Sequence, residues 1–315
     1  MKLLIAGLSA LALNWLGAGA AHAQLADPEA NLVEEVVVKA RLPGPAWWRV
    51  SDADSVVYII GGPEGSLPPG MTWNSSVLER RLEGAHTFVG GASIRVGLSG
   101  VPALLRLRGQ LKSKTPLEST LPPELRDRFV AARTRLGQPA SRYAGSTPLL
   151  AGDQLYDDSR EAGKWRSIQK DIEAAAKRRK LKLTSTAHVD GTPFFRTVAT
   201  SLTPQVHNGC LEAALDDVEA PGRARRAAQG WADGDLRAAL DHPRGFQACL
   251  LLMAGGEQIW KRVTRNQTQD VIAALEKPGH GVAVITLRRL MAEDGVLQQL
   301  RAAGYQVTGP ADPRT

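Results

Sequence analysis

Cysteine is scarce in this chain of 315 residues: there are two, Cys210 and Cys249. No cysteine pair therefore stands at zinc-finger spacing. The sequence also lacks a Gly-x-Ser-x-Gly elbow, a Walker loop and a Gly-x-Gly-x-x-Gly fingerprint. The common signatures of serine hydrolases, nucleoside triphosphatases and dinucleotide enzymes are thus missing. Gly97-Leu98-Ser99-Gly100 reads as a loop, because its second glycine comes one residue too early for an elbow. Beyond residue 23 no apolar run approaches the roughly 18 residues that read as a membrane helix. Internal repeats and long low-complexity tracts are absent too.

The N-terminus carries one cation, Lys2, then an apolar stretch over 3–16 interrupted only by small residues, Asn14 and Trp15, and closes on Ala21-His22-Ala23. A short apolar core ending in small residues at both positions read by a signal peptidase predicts a cleavable leader over 1–23, cut after Ala23. No cysteine follows the cut to take a lipid anchor. The expected product is periplasmic or secreted, with no transmembrane anchor.

Export colours the reading of charge and sulfur. The net charge of +7 would suit nucleic acid in a cytoplasmic protein, but an exported one is not expected to meet it. The densest basic run, 177–182, falls where a helix starting near Trp165 should end, and cations suit the negative end of a helix dipole. In an oxidising compartment Cys210 and Cys249 read as one disulfide. His207 lies three residues before Cys210, yet one His and two Cys do not complete a zinc shell.

Residues 24–45 are interrupted by Pro28, Pro43 and Pro45 and read as a linker with at most one short strand near 34–38. A hairpin follows, its strands at 47–50 and 56–60 joined by a turn at 52–54. Helical spacing recurs at 77–82, with a strand at 87–89. From about 98 to 260 the pattern is mostly helical, with amphipathic segments at 123–136, 147–162, 165–177, 210–218 and 223–231, and strands expected at 182–186 and 196–200. Alternation returns at the end: helix 268–275, strand 282–286, helix 294–303 and strand 305–307. The pattern predicts an α/β fold whose central mixed sheet is built by strand-helix units from both ends, with a large helical insertion inside one domain over 46–310.

Several groups of residues carry a family likeness. They are Trp48-Arg49-Val50, Asp52 to Ser55, Val57-Tyr58-Ile59-Ile60, Gly61-Gly62-Pro63-Glu64 and Leu67-Pro68-Pro69, then Trp231-Ala232-Asp233-Gly234-Asp235-Leu236, Arg265-Asn266, Gly295-Val296-Leu297, Leu300 and Gly304-Tyr305-Gln306-Val307. Together they resemble the TraB/GumN family of secreted bacterial proteins, related to the Tiki, ChaN and erythromycin-esterase-like proteins. The resemblance implies a metal-dependent hydrolase whose ligands are histidines from two Gly-x-x-His motifs and a Glu at a strand end. Here Glu64 stands at the first histidine position, Gly90 and Gly91 at the acidic one, and Arg288 at the second histidine. Neutral imidazoles and carboxylates bind divalent ions, whereas glycine and a permanent cation do not. The Glu64 carboxylate and the Arg288 guanidinium are expected to approach each other across the cleft and form an ion pair.

The remaining histidines, His86, His188, His242 and His280, read as exposed loop residues, with His188-Val189-Asp190 the best isolated metal-like pair. The expectation is therefore an envelope protein with the family fold and a degenerate site. It needs no cofactor and binds a peptide, glycan or protein. The alternative is a metal-dependent hydrolase using Glu64 and other ligands, and the third reading is a basic, polyanion-binding protein.

Overall fold

The computed structural model describes residues 29, 31, 32, 40, 42–91, 93–184, 188–241 and 245–311. The leader expected over 1–23, the strand expected near 34–38 and His242 lie outside the described residues.

Six strands form the central sheet, in the order β5-β3-β7-β2-β1-β8. Strands β1 (Trp47–Ser51) and β2 (Ser55–Gly62) make the hairpin, paired antiparallel from Trp47 opposite Ile60 to Ser51 opposite Val56. Its turn is set by Asp52, whose Oδ1 accepts the backbone N–H of Ser55 at 2.9 Å and that of Asp54 at 3.2 Å. After α1 (Ser76–Leu82) comes β3 (Thr87–Val89). The last strands are β7 (Gly279–Thr286) and β8 (Gln306–Thr308), with α13 (Leu287–Met291) and α14 (Val296–Ala302) between them. β7 lies parallel to both β2 and β3, while β8 runs antiparallel to β1. Val282, Ala283, Val284 and Ile285 are all buried. Such an unbroken apolar run belongs to a parallel strand covered on both faces. The mixed α/β sheet built from both ends of the chain is thus present.

Between β3 and β7 the chain is mainly helical. It runs β4 (Ser93–Arg95), α2 (Val101–Gln110), α3 (Leu117–Thr120), α4 (Pro123–Arg135), α5 (Pro148–Ala162), α6 (Ile168–Arg178), β5 (Leu183–Thr184), β6 (His188–Asp190), α7 (Thr192–Ser201), α8 (Pro204–Glu219), α9 (Pro221–Ala232), α10 (Leu236–Leu240), α11 (Gly245–Leu252) and α12 (Gly256–Leu275). β5 joins the main sheet beside β3, and β4 pairs with β6 in a separate parallel ribbon. Helices α1, α6, α9, α10, α12, α13 and α14 contribute to the sheet's core, whereas α4, α5 and α8 bury Leu125, Phe129, Leu155, Leu211 and Leu215 in a second one.

Three expectations are corrected. Residues 196–200 are not a strand but the second half of α7, which Pro193 opens and which buries Val198 and Ala199. Thr197 and Thr200 satisfy their hydroxyls within the helix, Thr197 Oγ1 donating to Pro193 O at 3.0 Å and Thr200 Oγ1 to Thr197 O at 2.9 Å. The helix expected at 268–275 begins at Gly256, because its buried face carries Thr264 and Gln267 among the apolar residues. The histidines expected in exposed loops also differ: His188 and His280 lie in strands β6 and β7, and His86, in the loop before β3, is half-buried. His86 Nε2 lies 3.0 Å from Ala274 O, and His280, within β7, places its Nε2 2.9 Å from Arg81 O and its ring edge-on to Tyr58.

The described residues of the expected linker are anchored. Leu32 bridges Ala292, the Ala40 N–H donates to Gly234 O at 2.9 Å, and buried Glu29 accepts the Trp260 indole N–H at 2.6 Å. Cys210 and Cys249 stand within bonding distance, with Cα atoms 5.4 Å apart as a disulfide requires.

Candidate functional site

Three adjacent strands, β3, β7 and β2, run parallel and end on the same edge, with Gly62 opposite Thr286 and Val89 opposite Ala283. Open α/β sheets receive ligands at such carboxyl edges. Each candidate position falls there, so the edge can be read residue by residue.

At the end of β2, Glu64 meets the main chain of Arg288. The Glu64 carboxylate accepts the Arg288 backbone N–H at 2.7 Å, in the first turn of α13. A carboxylate suits the positive start of a helix and satisfies a donor with no partner inside it. The Arg288 guanidinium reaches the other way, its Nη2 donating to Leu240 O at 2.5 Å. That carbonyl closes α10, where a cation is equally favoured.

Close packing explains Gly61. A Cβ there would overlap Leu287 Cδ2 and stand 2.8 Å from Trp48 Cζ3. Its carbonyl accepts the Trp231 indole N–H at 2.6 Å, fastening α9 to the strand. The Trp231-to-Leu236 motif continues as a helix-to-helix turn. Gly234 adopts φ +70°, which glycine tolerates, and the Asp235 side chain accepts the Ala238 N–H at 2.9 Å to start α10.

At the end of β3 the space beside Gly91 is filled from α6. A Cβ on Gly91 would overlap the amide of Gln169. Gln169 Nε2 donates to Glu173 Oε1 at 3.0 Å, and the Gly91 N–H points at the same oxygen from 3.5 Å. Gln169 and Glu173 are therefore parts of this edge that sequence reasoning missed; their i,i+4 spacing on an amphipathic helix was the available signal.

The donors at this edge do not suit a divalent ion. The Glu64 carboxylate is engaged by a backbone N–H, the Glu173 carboxylate by the Gln169 amide that faces bare glycine backbone, and the third position is a guanidinium. Among the described residues no group of three or more His, Cys, Asp or Glu side chains converges. The backbone of His188, Val189 and Asp190 forms β6, away from the main sheet. Around Glu64 the cavity is ≈ 20 Å³, bordered by Pro63, Ser66, Arg160, Ala227 and Trp231. That is room for about one water molecule.

A larger hollow of ≈ 270 Å³ opens on the far side of Arg160, between α5, α8 and α9. The Arg160 guanidinium carbon sits 4.3 Å from the Trp165 ring centroid and 4.9 Å from that of Tyr156, whose hydroxyl accepts from Nη2 at 3.0 Å. Stacking on two rings holds the cation in place. Opposite it, burial pushes the Asp217 carboxyl up to about 6, despite the Phe246 N–H that it accepts at 3.1 Å and the nearby Arg160 charge. Rings, a cation and a carboxyl around one hollow suit a peptide or a sugar better than a purely apolar ligand. Sequence reasoning passed over this group, although Tyr156 and Arg160 stand four residues apart on one helix face.

The TraB/PrgY/gumN family model matches residues 46–309. No curated protein and no solved structure matches the chain.

Proposed function

The chain belongs to the TraB/PrgY/gumN family, and from that premise we propose that it is an exported envelope protein, cut after Ala23, that binds a peptide, glycan or protein rather than hydrolysing one. The observations that carry this reading are the engagement of the Glu64 carboxylate by the Arg288 N–H and the ≈ 20 Å³ of the cavity that Glu64 borders. A hydrolytic centre needs room for the scissile group and a free base or bound ion beside it. Binding has space instead in the hollow between α5, α8 and α9, where Tyr156 and Trp165 offer flat faces and Arg160 and Asp217 offer polar ones. On this reading residues 46–310 act as one domain that has kept its scaffold.

Metal analysis of the purified chain, with and without a chelator wash, together with hydrolysis of generic peptide substrates tests it. The expected result is no stoichiometric divalent ion and no chelator-sensitive turnover. One tightly held ion per chain that the Glu64→Gln variant loses would overturn the proposal.

A further inference from the structure

The exposed large hydrophobic side chains of the described residues are confined to one short segment. Ile94 is 49% exposed, Leu98 92%, Val101 42% and Leu105 63%. Scattered single leucines on a surface mean little, but a cluster of this kind marks an interaction site. Leu98, Val101 and Leu105 follow one another at helical spacing, so they share a face of α2 and the turn before it. The stripe continues into Arg108 and Lys112, both exposed. The opposite face of α2 is the packed one: Leu107 is buried in a core with Val198 of α7, and Leu111 lies against it.

Local hydrogen bonds hold these tips outward. The Gly100 N–H donates to Gly97 O at 2.8 Å, Arg196 Nη2 to Ser99 O at 2.9 Å, and the Gly191 N–H to Arg95 O at 2.7 Å. The apolar face is thus presented on a built surface.

Charge decides what can cover it. Between Glu83 and Glu118 the chain contains no acidic residue and five cations, Arg95, Arg106, Arg108, Lys112 and Lys114. The acid nearest by register, Asp190, pairs across from Arg95 in the β4–β6 ribbon, and its carboxylate accepts the Thr192 N–H at 2.9 Å. A second copy of this chain would bring like charges together, which opposes association. An acidic lipid surface offers both phases at once, acyl chains for the aliphatic tips and phosphates for the arginines and lysines. From this geometry we propose that the surface around α2 docks the protein on an anionic phospholipid bilayer. The proposal is independent of whether the Glu64 edge hydrolyses anything.

Co-sedimentation of the full chain with vesicles tests it, comparing phosphatidylcholine alone with phosphatidylcholine containing phosphatidylglycerol. The wild type is expected on the acidic vesicles and not on the neutral ones, with binding that weakens as salt rises. The double variant Leu98→Ser/Leu105→Ser should partition about tenfold less or worse, since each leucine withdrawn removes a buried apolar side chain. Arg106→Glu/Arg108→Glu should lose acidic-vesicle binding while leaving the apolar face intact. All four positions are exposed, so circular dichroism should be unchanged, and any contribution from residues 1–23 is common to wild type and variants. Equal retention of wild type and both variants, or no retention of the wild type, overturns the proposal. Light scattering that shows a dimer dissociated by Leu98→Ser/Leu105→Ser also overturns it.

Discussion

The Trp231 indole N–H donates to the Gly61 carbonyl at 2.6 Å, in a buried contact spanning 170 positions of sequence. It joins the helical region to the strand end from which the candidate edge is built, and Trp73 packs beside it, its ring tilted by 56° with centroids 5.3 Å apart. Trp231→Phe keeps much of the apolar volume and removes the donor. Leaving a buried acceptor without that partner should lower the unfolding free energy by about 1–3 kcal/mol, read as a lower urea midpoint with an unchanged slope.

Gly61 itself is required by crowding rather than by backbone conformation. Gly61→Ala would drive a methyl into Leu287 and Trp48, both of which are buried in the core. A loss of about 1–3 kcal/mol is expected, by the cost of overpacking a filled core. Gly70, beside whose Cβ position no atom lies within 4 Å, has a φ of +75°, so Gly70→Ala controls for backbone strain without collision.

Asp217 carries the clearest pH signature. Burial raises its folded pKa from 3.8 to about 6, so the folded state binds more protons than the unfolded one between those values. Its contribution therefore favours folding at low pH and is lost as pH rises through about 6. Asp217→Asn keeps an oxygen for the Phe246 N–H and removes the charge. The variant should be more stable than wild type above pH 6, by about 1–2 kcal/mol after allowance for partial exposure. Melting temperatures measured across this range would show the two proteins converging as the pH drops towards 4.

Cys210 and Cys249 lie 39 residues apart in sequence and connect α8 to α11. Removing the link in Cys210→Ala/Cys249→Ala should cost about 4 kcal/mol on the chain-entropy model. Thiol titration of the denatured wild type without reductant should find no reactive group, and two after reduction.

Much of this architecture was legible before any coordinates. The hairpin, the apolar run of β7 and the helices α4, α5 and α9 announce themselves because their patterns match one period each. α7 hid because Arg196 to Thr200 alternate like a strand, and packing of Val198 against α2 and α8 outweighs that local preference. The first half of α12 hid behind buried polar residues. At the site, the meeting of Glu64 with Arg288 followed from their places at neighbouring strand ends. That the main-chain N–H makes the contact did not follow, since it depends on α13 starting directly at the strand end. Filling of the Gly91 space by Gln169 was invisible for the same reason: only tertiary approach brings α6 there.

The pairing of β2 with β7 has a consequence for how the molecule is made. Its two strands are separated by more than two hundred residues, and closing so long a loop precedes any return from the contact. Until residues 279–286 and then 306–308 have emerged, the hairpin keeps both edges of backbone donors and acceptors naked, a template for unwanted association. A chain shortened before Gly279 should consequently leave inclusion bodies rather than a smaller native protein, and a chaperone holding the early hairpin has the whole length of synthesis in which to act.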